Sequence, residues 1–370
     1  MAKFLLTSES VCPGHPDKIC DQISDAILDD LLAQDPFSRV AVECAVKSSL
    51  VFIFGEVSTR GFCDTTKVAR DVFKRVGFDF QNCSVISSIS EQSPQIAQKI
   101  DKDLAAGDQG MMFGFACRET PQLMPLPISL AHDLARRLTV VREEGICPFL
   151  LPDGKSQVTV EFENGQPKRV HTVLISAQHV EGVEQSDLRR ELFKHVVQSE
   201  LKPWLDDETI FHCNPSGKFT LGGPEADAGL TGRKIIVDTY GGACPHGGGC
   251  FSGKDATKVD RSGALAARHA AKNLVAAGLC DKCQIQISFA IGLTQPLAIC
   301  VESFGTSRFS NEKLERIVRE FFPLTPKEII EKFSLRQPMF QQTATFGHFG
   351  RDEFSWEQTD LAATLQKKFL

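Results

Sequence analysis

The chain has 370 residues, enough for two or three domains at roughly 150 residues each. Its 42% hydrophobic and 24% charged residues exclude a disordered chain, a collagen or a coiled coil, and predict a folded globular protein. The net charge of −6 lacks the basic excess of a protein that coats a phosphate backbone, so no nucleic-acid partner is expected.

The first residues predict neither a signal peptide nor a membrane anchor. The apolar run Phe4–Leu6 is much shorter than the core of a signal peptide. No later stretch approaches the roughly 18 consecutive apolar residues of a membrane span. We therefore expect a cytoplasmic protein with no membrane partner.

The first helix is predicted over residues 15–33. Isoleucine or leucine recurs every four residues on one face, and aspartate does so on another: Ile19, Ile23, Ile27 and Leu31 against Asp17, Asp21, Asp25 and Asp29. Two β-rich runs follow within residues 40–59, joined near Ser48, and a helical pattern spans residues 65–76. These elements make one helix, hairpin, helix unit.

The same order of elements recurs twice more along the chain. The second unit has a helix, a hairpin with an Asn164-Gly165 turn, and a helix, at residues 128–144, 157–178 and 186–201. The third has an alanine-rich helix, a hairpin and a helix, at residues 260–277, 284–304 and 310–322. The repeat is one of element order, because the residues themselves do not repeat.

This order predicts an α/β (α+β) fold of three similar domains related by pseudo-threefold repetition. Each domain is expected to be a β-sheet with helices packed on one face. We place the N-terminal domain at residues 1–103, the central domain at 104–222 and the C-terminal domain at 223–370. Residues 91–109 and 221–255 are polar and rich in glycine, and they predict long loops of the kind that often carry function.

The thirteen cysteines are odd in number and scattered from Cys12 to Cys300, which is typical of a reduced, intracellular protein. One Cys-x-x-Cys pair, Cys280 and Cys283, could begin a zinc site. A structural zinc site needs a second pair of ligands at a suitable spacing, and the sequence offers none. Ordinary thiols are therefore favoured.

The most informative segment is the glycine-rich stretch that ends at Lys254. Gly248–Lys254 has the spacing of a phosphate-binding P-loop, and it follows a run, Lys234–Tyr240, that predicts a strand. However, Asp255 stands where a P-loop needs a hydroxyl for the metal, and a carboxylate there would repel phosphate. A different phosphate-binding loop is favoured over a true P-loop, and a plain connector remains the third interpretation.

Other charged residues cluster with glycine. Cations lie before, within and after the glycine-rich stretch: Arg233, Lys234, Lys254 and Lys258. Asp17 and Asp260 open the first and third predicted helices at equivalent places, where each could cap its helix or face one magnesium ion. Four further segments are turns taken singly, but together suit a large anion held from several sides: 107–110, 153–156, 216–219 and 222–224.

Four motifs resemble those of the S-adenosylmethionine synthetase (methionine adenosyltransferase) family. They are GHPDK at 14–18, GDQG at 107–110, GRKIIVDTYG at 232–241 and GGGCFSGKD at 247–255. The likeness runs from about Phe4 to Trp356 with the motifs in the family's order. It displaces the P-loop interpretation, because this family uses its glycine-rich loop in an unrelated three-domain fold.

The resemblance implies a reaction in two parts. Methionine sulfur attacks C5′ of ATP and expels the whole triphosphate, which is then hydrolysed to pyrophosphate and phosphate. A triphosphate leaving group needs dense positive charge, whereas a thioether nucleophile needs no base, so the residue types agree with this chemistry. The family also implies Mg²⁺ and K⁺ as cofactors and a homodimer with shared active sites, usually paired into a homotetramer.

Site residues follow from the resemblance position by position. Six positions match catalytic residues: His15, Lys155, Arg233, Lys234, Lys254 and Lys258. The ATP contacts include most of these and also Asp153, Lys218, Phe219, Asp227 and Cys250. The methionine contacts are Glu56, Gln92, Asp227 and Lys258. The metal ligands are Asp17 and Asp260 for Mg²⁺ and Glu43 for K⁺.

Some positions depart from the family pattern. Lys218 and Leu151 stand where arginine is common, Cys250 stands where alanine is usual, and residues 93–106, which we interpret as a lid, form a shorter segment than is familiar. Lysine cannot reproduce a bidentate guanidinium contact, so nucleotide affinity and rate are expected to differ. Two rival functions are a P-loop kinase, which Asp255 opposes, and a catalytically silent nucleotide-binding protein, which the retained His15 and lysines oppose.

Overall fold

The computed structural model describes residues 3–80, 82–91 and 104–370. The strands and helices of the first 103 residues are β1 (Lys3–Val11), α1 (Pro16–Gln34), β2 (Arg39–Lys47), β3 (Leu50–Ser58), α2 (Thr65–Val76) and β4 (Ser84–Ser90). The helix and hairpin bounds agree with the sequence prediction to within about one or two residues. β1 is an addition, because its few apolar residues did not predict a strand.

The middle of the chain contains the second predicted unit. Its elements are β5 (Gly110–Cys117), α3 (Leu126–Glu143), β6 (Leu150–Glu163), β7 (Gln166–His179), α4 (Gln185–Leu192), α5 (Gln198–Leu201) and β8 (Ile210–Cys213). A five-residue π-helical stretch, Phe193–Val197, joins α4 to α5, so the helix predicted over residues 186–201 is nearly continuous.

The last third begins with short elements and then forms the third predicted unit. Its elements are α6 (Gly223–Ala226), β9 (Gly229–Leu230), α7 (Ile235–Asp238), α8 (Val259–Ala276), β10 (Lys282–Phe289), β11 (Ala298–Glu302), α9 (Asn311–Phe321), α10 (Pro326–Phe333) and α11 (Ala362–Phe369). The strand predicted over Lys234–Tyr240 is wrong, because this segment forms the short helix α7. Tertiary burial overrides strand propensity here, since Val237 and Tyr240 are buried while Ile236 is left 41% exposed.

Each of the three sheets includes one strand that comes from a different part of the chain than its other strands. The strand orders are β4-β3-β2-β9, β1-β6-β7-β8 and β11-β10-β5. β1 thus joins the sheet of the central unit, β5 that of the last unit, and β9 that of the first. Three sheets with helices confirm the predicted fold class, while the domain limits at residues 103 and 222 stay a prediction.

These strands from other parts of the chain bring distant segments to the start of α1. β1 pairs antiparallel with β6, and this pairing puts Val11 opposite Lys155. Val11 lies four residues before His15, the N-cap residue of α1. β9 pairs with β2 at Ala45 and leads directly into Arg233. The entry of α1 therefore lies where all three parts of the chain meet.

The hydrophobic core has two parts. One lies between α3, α4 and the β6-β7 hairpin, with Leu134, Val158 and Val173 fully buried. The other is continuous from α1 and its sheet to α8 and the sheet of β10 and β11, with Ile23 and Leu274 fully buried. This continuity packs the first and last parts of the chain against each other, with α1 in the middle.

α1 is buried on nearly every side, although its sequence predicts a polar face. Asp21 and Asp25 are fully buried, and Asp29 accepts three backbone N–H bonds, from Met339, Phe340 and Gln341. The aspartate row therefore docks the C-terminal segments instead of facing water. Within the described part of the chain, no helix is long and apolar enough to cross a membrane.

Candidate active site

His15 is the N-cap residue of α1, and its side chain is almost fully buried at 2% exposure. Its Nδ1 accepts a hydrogen bond from the backbone N–H of Asp17 at 3.2 Å. Burial, and then the positive charges of Lys234 and Lys155, lower the pKa of His15 to about 3. The ring is therefore neutral at physiological pH, and because Nδ1 accepts, Nε2 carries the proton and is a donor.

Asp17 lies beside this histidine and connects α1 to the segment from Leu230 to Lys234. Its Oδ2 accepts from Lys234 Nζ at 2.5 Å, its Oδ1 accepts from Leu230 N–H at 3.0 Å, and Arg233 Nε lies 3.7 Å away. Burial raises the pKa of Asp17, but the bonds from Lys234 and Leu230 outweigh it and the net pKa lies below its ordinary value. Asp17 is thus an ionised carboxylate among cations.

We call His15, Asp17, Lys155, Arg233 and Lys234 the His15 group. Lys155 stands on β6, is exposed, and acts on His15 electrostatically. The group combines a buried neutral donor with three cations and a single carboxylate. This arrangement suits a ligand that carries several negative charges.

Asp153 extends the site toward the loop after β8. It is 6% exposed, and its Oδ2 accepts from Gly223 N–H at 2.8 Å. Burial raises the pKa of Asp153; the positive charge of Lys155 acts against this rise, and the negative charge of Asp227 adds to it. These three charged side chains are therefore neighbours. Asp153 therefore links β6 to the segment that precedes β9.

The predicted nucleotide contacts Lys218 and Phe219 follow β8 in the chain and lie beside His179, the last residue of β7. Phe219 N–H donates to His179 Nε2 at 3.2 Å, which fixes its backbone beside β7. Lys218 has a side chain 77% exposed, 3.9 Å from Glu181. Its ammonium is therefore free to reorient toward a ligand.

A second cluster forms on the glycine-rich loop, and we call Glu43, Cys250, Lys254 and Asp260 the Lys254 group. Lys254 Nζ donates to Asp260 Oδ2 at 2.6 Å. Burial lowers the pKa of Lys254, but Cys250, Asp260 and Glu43 outweigh it and the net pKa lies above its ordinary value. Lys254 is thus firmly cationic.

Asp255 explains why the loop is not a P-loop. Its buried carboxylate accepts from Lys258 Nζ at 2.6 Å and from Val40 N–H at 2.8 Å. Burial raises the pKa of Asp255, but Lys258 outweighs it and the net pKa is lowered. Asp255 anchors the loop to β2, so the residue that contradicted the P-loop motif has a structural role.

The His15 and Lys254 groups meet at Cys250. A Cβ added to Gly232, the residue before Arg233, would lie 2.5 Å from Cβ of Cys250, so the two loops pack directly on each other. Burial raises the pKa of the Cys250 thiol, Lys254 opposes this, and Glu43 and Asp21 add to it. The two clusters are therefore parts of one charged region.

Other predicted site residues lie at the edges of this charged region. Glu56 is exposed on β3, opposite Ala41, and Ala41 in turn bridges to Lys254. Gln92 and residues 93–103 of the predicted lid lie outside the described residues. Asp17 and Asp260 have different contact partners, Lys234 and Lys254. Within residues 3–80, 82–91 and 104–370, no three His, Cys, Asp or Glu side chains are arranged to hold a metal ion.

Sequence reasoning missed the buried charges beneath the site. Lys18 is fully buried and pairs with Asp238 and, at 2.9 Å, with Asp21. Arg261 pairs with Asp25 at 2.7 Å. The four-residue spacing of the aspartates was the available signal, since it placed them on one face of the helix, but the spacing by itself did not show that this face is buried.

Three sheet-and-helix units with cations gathered where they meet define a three-domain α/β enzyme of the kind that handles polyphosphate. Three family models match the chain, for the N-terminal, central and C-terminal domains of S-adenosylmethionine synthetase, over residues 3–94, 103–219 and 221–358. The chain belongs to the S-adenosylmethionine synthetase family, which confirms the resemblance.

Relatives with the same printed name match nearly the whole chain. The S-adenosylmethionine synthase of a Nitratiruptor species is 50% identical over 373 residues, covering 97% of this chain and 97% of the relative. That of Wolinella succinogenes is 50% identical over 380 residues, covering 99% and 98%. The similarity therefore extends through all three units and is not confined to the motifs.

Proposed function

We propose that the His15 and Lys254 groups carry out the reaction of the family. The enzyme is a methionine adenosyltransferase, in which methionine sulfur attacks C5′ of ATP and forms S-adenosylmethionine. The C5′–oxygen bond breaks, its electron pair stays on the triphosphate, and the triphosphate is hydrolysed to pyrophosphate and phosphate. The observation that carries the assignment of residues is the neutral, buried His15 beside Lys155 and Lys234.

His15 is the donor to the departing oxygen. Its Nε2–H can hydrogen-bond the oxygen that gains charge as the C5′–oxygen bond breaks, and burial strengthens such a bond. A neutral ring also spares the site one more buried positive charge. The thioether of methionine carries no proton on sulfur, so the reaction needs no general base near the nucleophile.

The cations hold the triphosphate beyond that oxygen. Lys155, Arg233 and Lys234 belong to the His15 group, and Lys254 and Lys258 extend the positive charge along the glycine-rich loop. Lys234 and Lys254 are each paired with one carboxylate, so both are preorganised. ATP contacts from Asp153, Lys218, Phe219, Asp227 and Cys250 complete this proposal.

Magnesium fits Asp17 and Asp260, each of which offers one carboxylate beside lysines. Mg²⁺ on nucleotides is commonly held by one or two protein carboxylates together with phosphate oxygens and water, so a cage of three protein ligands is not required. Asp17 has a lowered pKa and is ionised. When bound, the ion would neutralise part of the triphosphate charge. We assign Glu43, an exposed carboxylate near Lys254, to K⁺.

Methionine is assigned to Glu56, Gln92, Asp227 and Lys258. Glu56 and Lys258 approach the same end of β2: Glu56 is paired with Ala41, and Lys258 is tied through Asp255 to Val40. A carboxylate and an ammonium are the complement of an amino acid's ammonium and carboxylate. We place the enzyme in the cytoplasm.

Incubation with ATP, methionine, Mg²⁺ and K⁺ tests this function. We expect the sulfonium product together with equal amounts of pyrophosphate and phosphate. The physical reason is that the cations of both groups surround one polyanion, which is hydrolysed before release. Accumulation of intact tripolyphosphate as the main product would contradict the hydrolytic part, and absence of the sulfonium would contradict the function itself.

A second copy of this chain is proposed to cover the open face of the first sheet. One row of this face crosses the sheet in register from β4 to β9: Ile86, Phe52, Ala45 and Leu230. Ile86 is 53% exposed, Phe52 37% and Leu230 39%, which is unusual for a continuous apolar row. Glu43 and Glu56 lie on the same face, so the partner that covers the row would also enclose site residues, as a homodimer with shared active sites would. Such dimers would then pair into a homotetramer.

Phe52→Lys should convert the dimer to a monomer, because it buries a charge in the middle of the apolar row. Light scattering coupled to gel filtration measures the change, and sulfonium formation should fall with it. Phe62→Lys is the matched control, since Phe62 is 78% exposed and lies outside the sheets. A Phe52→Lys protein that keeps the mass of the unsubstituted protein would contradict this interface.

A further inference from the structure

Two fully buried carboxylates of α1 each bind the loop residue that precedes a site cation. Asp21 Oδ1 accepts from Gly232 N–H at 2.8 Å, and Gly232 is followed by Arg233. Asp25 Oδ1 accepts from Gly253 N–H at 2.8 Å, and Gly253 is followed by Lys254. The two carboxylates are four residues apart on one helix face, so the same contact is repeated one turn further along α1.

The second of these contacts is part of a tightly fixed backbone. The Gly253 carbonyl accepts from Val42 N–H at 3.0 Å. Its φ is +79°, and a Cβ at this position would lie 1.9 Å from the Val42 carbonyl oxygen, so no other residue fits without a shift. The backbone entering Lys254 is thus held from both sides, by α1 and by β2.

Arg261 adds a third constraint to the same loop. Its guanidinium makes a bidentate pair with Asp25, at 2.7 and 2.8 Å, and also donates to the Lys254 carbonyl at 3.3 Å. Arg261 is itself locked by a bond to Thr343 Oγ1 at 2.9 Å and lies over the Phe340 ring. Asp25 and Arg261 therefore fix the backbone on both sides of the Lys254 side chain.

We propose that Asp21 and Asp25, with Arg261, are positioning residues that set the distance between the Arg233-Lys234 loop and the Lys254 loop. Asp21 and Asp25 are four residues apart, which corresponds to a rise of about 6 Å along the helix axis. Because the helix is rigid, α1 holds the two cationic loops at a fixed separation. That separation is comparable to the span between the two outer phosphoryl groups of one tripolyphosphate, so each loop would present its cations to a different part of the same chain. This inference rests on the proposed function, because it concerns how that site fits its triphosphate.

Stability alone does not account for this arrangement. Buried ion pairs usually contribute little net stability, since desolvation offsets their attraction, whereas small displacements of catalytic groups can cost on the order of 100-fold in rate. A second buried pair joins segments outside the two cationic loops. Arg268, on the same helix as Arg261, makes a bidentate pair with Glu357 at 2.9 and 2.9 Å, and its other bonds go to the carbonyls of Phe115, Gln122 and Leu123.

The two pairs provide matched variants of the full-length enzyme. Asp25→Asn and Glu357→Gln each remove one buried charge from a bidentate pair, and Glu357→Gln also removes the charged partner of the buried Lys272 at 2.8 Å, so Glu357→Gln should lower the melting temperature at least as much as Asp25→Asn. Only Asp25→Asn should lower kcat/KM for hydrolysis of added tripolyphosphate, by on the order of 100-fold, and raise its KM. Glu357→Gln should retain the kinetics of the unsubstituted enzyme at a temperature where both variants are folded.

Arg261→Lys and Arg268→Lys repeat the comparison if Asp25→Asn does not fold. Lysine keeps the charge but loses the bidentate fork, so Arg261→Lys should show the same kinetic loss and Arg268→Lys should not. Equal kinetic losses in the two members of either pair would overturn the proposal, as would an Asp25→Asn enzyme with unchanged kcat/KM. If the unsubstituted enzyme itself failed to hydrolyse tripolyphosphate, that would count against the proposed function. Calorimetric binding of magnesium tripolyphosphate would then decide the positioning role separately.

Discussion

His15→Ala is expected to lower the rate of sulfonium formation by on the order of 100-fold or more while sparing the hydrolysis of added tripolyphosphate. The reason is the division of the site. His15 offers one Nε2–H donor at the start of α1, whereas the proposal assigns the phosphate chain to the cations of Lys234 and Lys254, which are paired with Asp17 and Asp260. Single-turnover measurements of the two half-reactions give the two rates separately.

Alanine at this position also removes a helix cap, because His15 Nδ1 accepts from Asp17 N–H. The loss of such a cap costs about 1 kcal/mol. His15→Asn is therefore the matched control, since asparagine is a good N-cap residue but is too short to replace the Nε2 donor. Both variants should lose sulfonium formation, and His15→Asn should keep the thermal stability of the unsubstituted enzyme. Equal losses in both half-reactions would contradict the assignment of His15 to the departing oxygen.

The low pKa of His15 also makes a prediction about pH. The unfolded chain binds a proton at this histidine below its ordinary pKa of 6.5, whereas in the folded enzyme burial, Lys234 and Lys155 delay protonation to about pH 3. His15 therefore lowers the stability of the fold as the pH falls through this range, and this loss should be smaller in His15→Asn. His15 does not titrate near pH 6.5 in the folded enzyme, so the rate of sulfonium formation should show no change there that is caused by His15. The pH profiles of the unsubstituted enzyme and of His15→Asn should therefore have the same shape near pH 6.5. Thermal melts and initial rates measured across this pH range check both expectations.

Lys254→Met should impair both half-reactions by on the order of 100-fold, in contrast to His15→Ala. Lys254 is a cation fixed by Asp260, and in the proposed site its charge is needed both when the triphosphate departs and when it is hydrolysed. Methionine keeps most of the side-chain volume, and the Lys254 side chain is 21% exposed, so the fold should persist. Initial rates with ATP plus methionine and with tripolyphosphate alone measure the two effects.

Lys168→Met is the control for this experiment. Lys168 forms a similar ion pair, with Glu163 at 2.9 Å, but stands at the β6-β7 turn. It should leave both rates unchanged, because exposed ion pairs contribute little. A Lys254→Met enzyme that loses only sulfonium formation would place Lys254 at the adenosyl end of ATP and would contradict its proposed contact with the phosphates.

Much of the local structure could be predicted from the sequence, because it depends on neighbours along the chain. The isoleucines of α1 and the Asn164-Gly165 turn each define an element by spacing that is visible without the fold. The motif around His15 and the glycine-rich loop likewise resembled the family through contiguous residues. Local predictions failed where distant contacts compete: the strand over Lys234–Tyr240 is wrong, and the strands β1, β5 and β8 were not predicted.

The sequence by itself determined the element order, the family and the candidate cations of this protein. Only the tertiary structure decided which of these residues are neighbours, since β1 and β9 join sheets formed by other parts of the chain. It also decided the role of the aspartates on α1: the sequence placed Asp21 and Asp25 on one helix face, and the structure buries them against glycine amides and Arg261. The physical reason is that a buried carboxylate needs partners, and those partners lie more than 200 residues away in sequence.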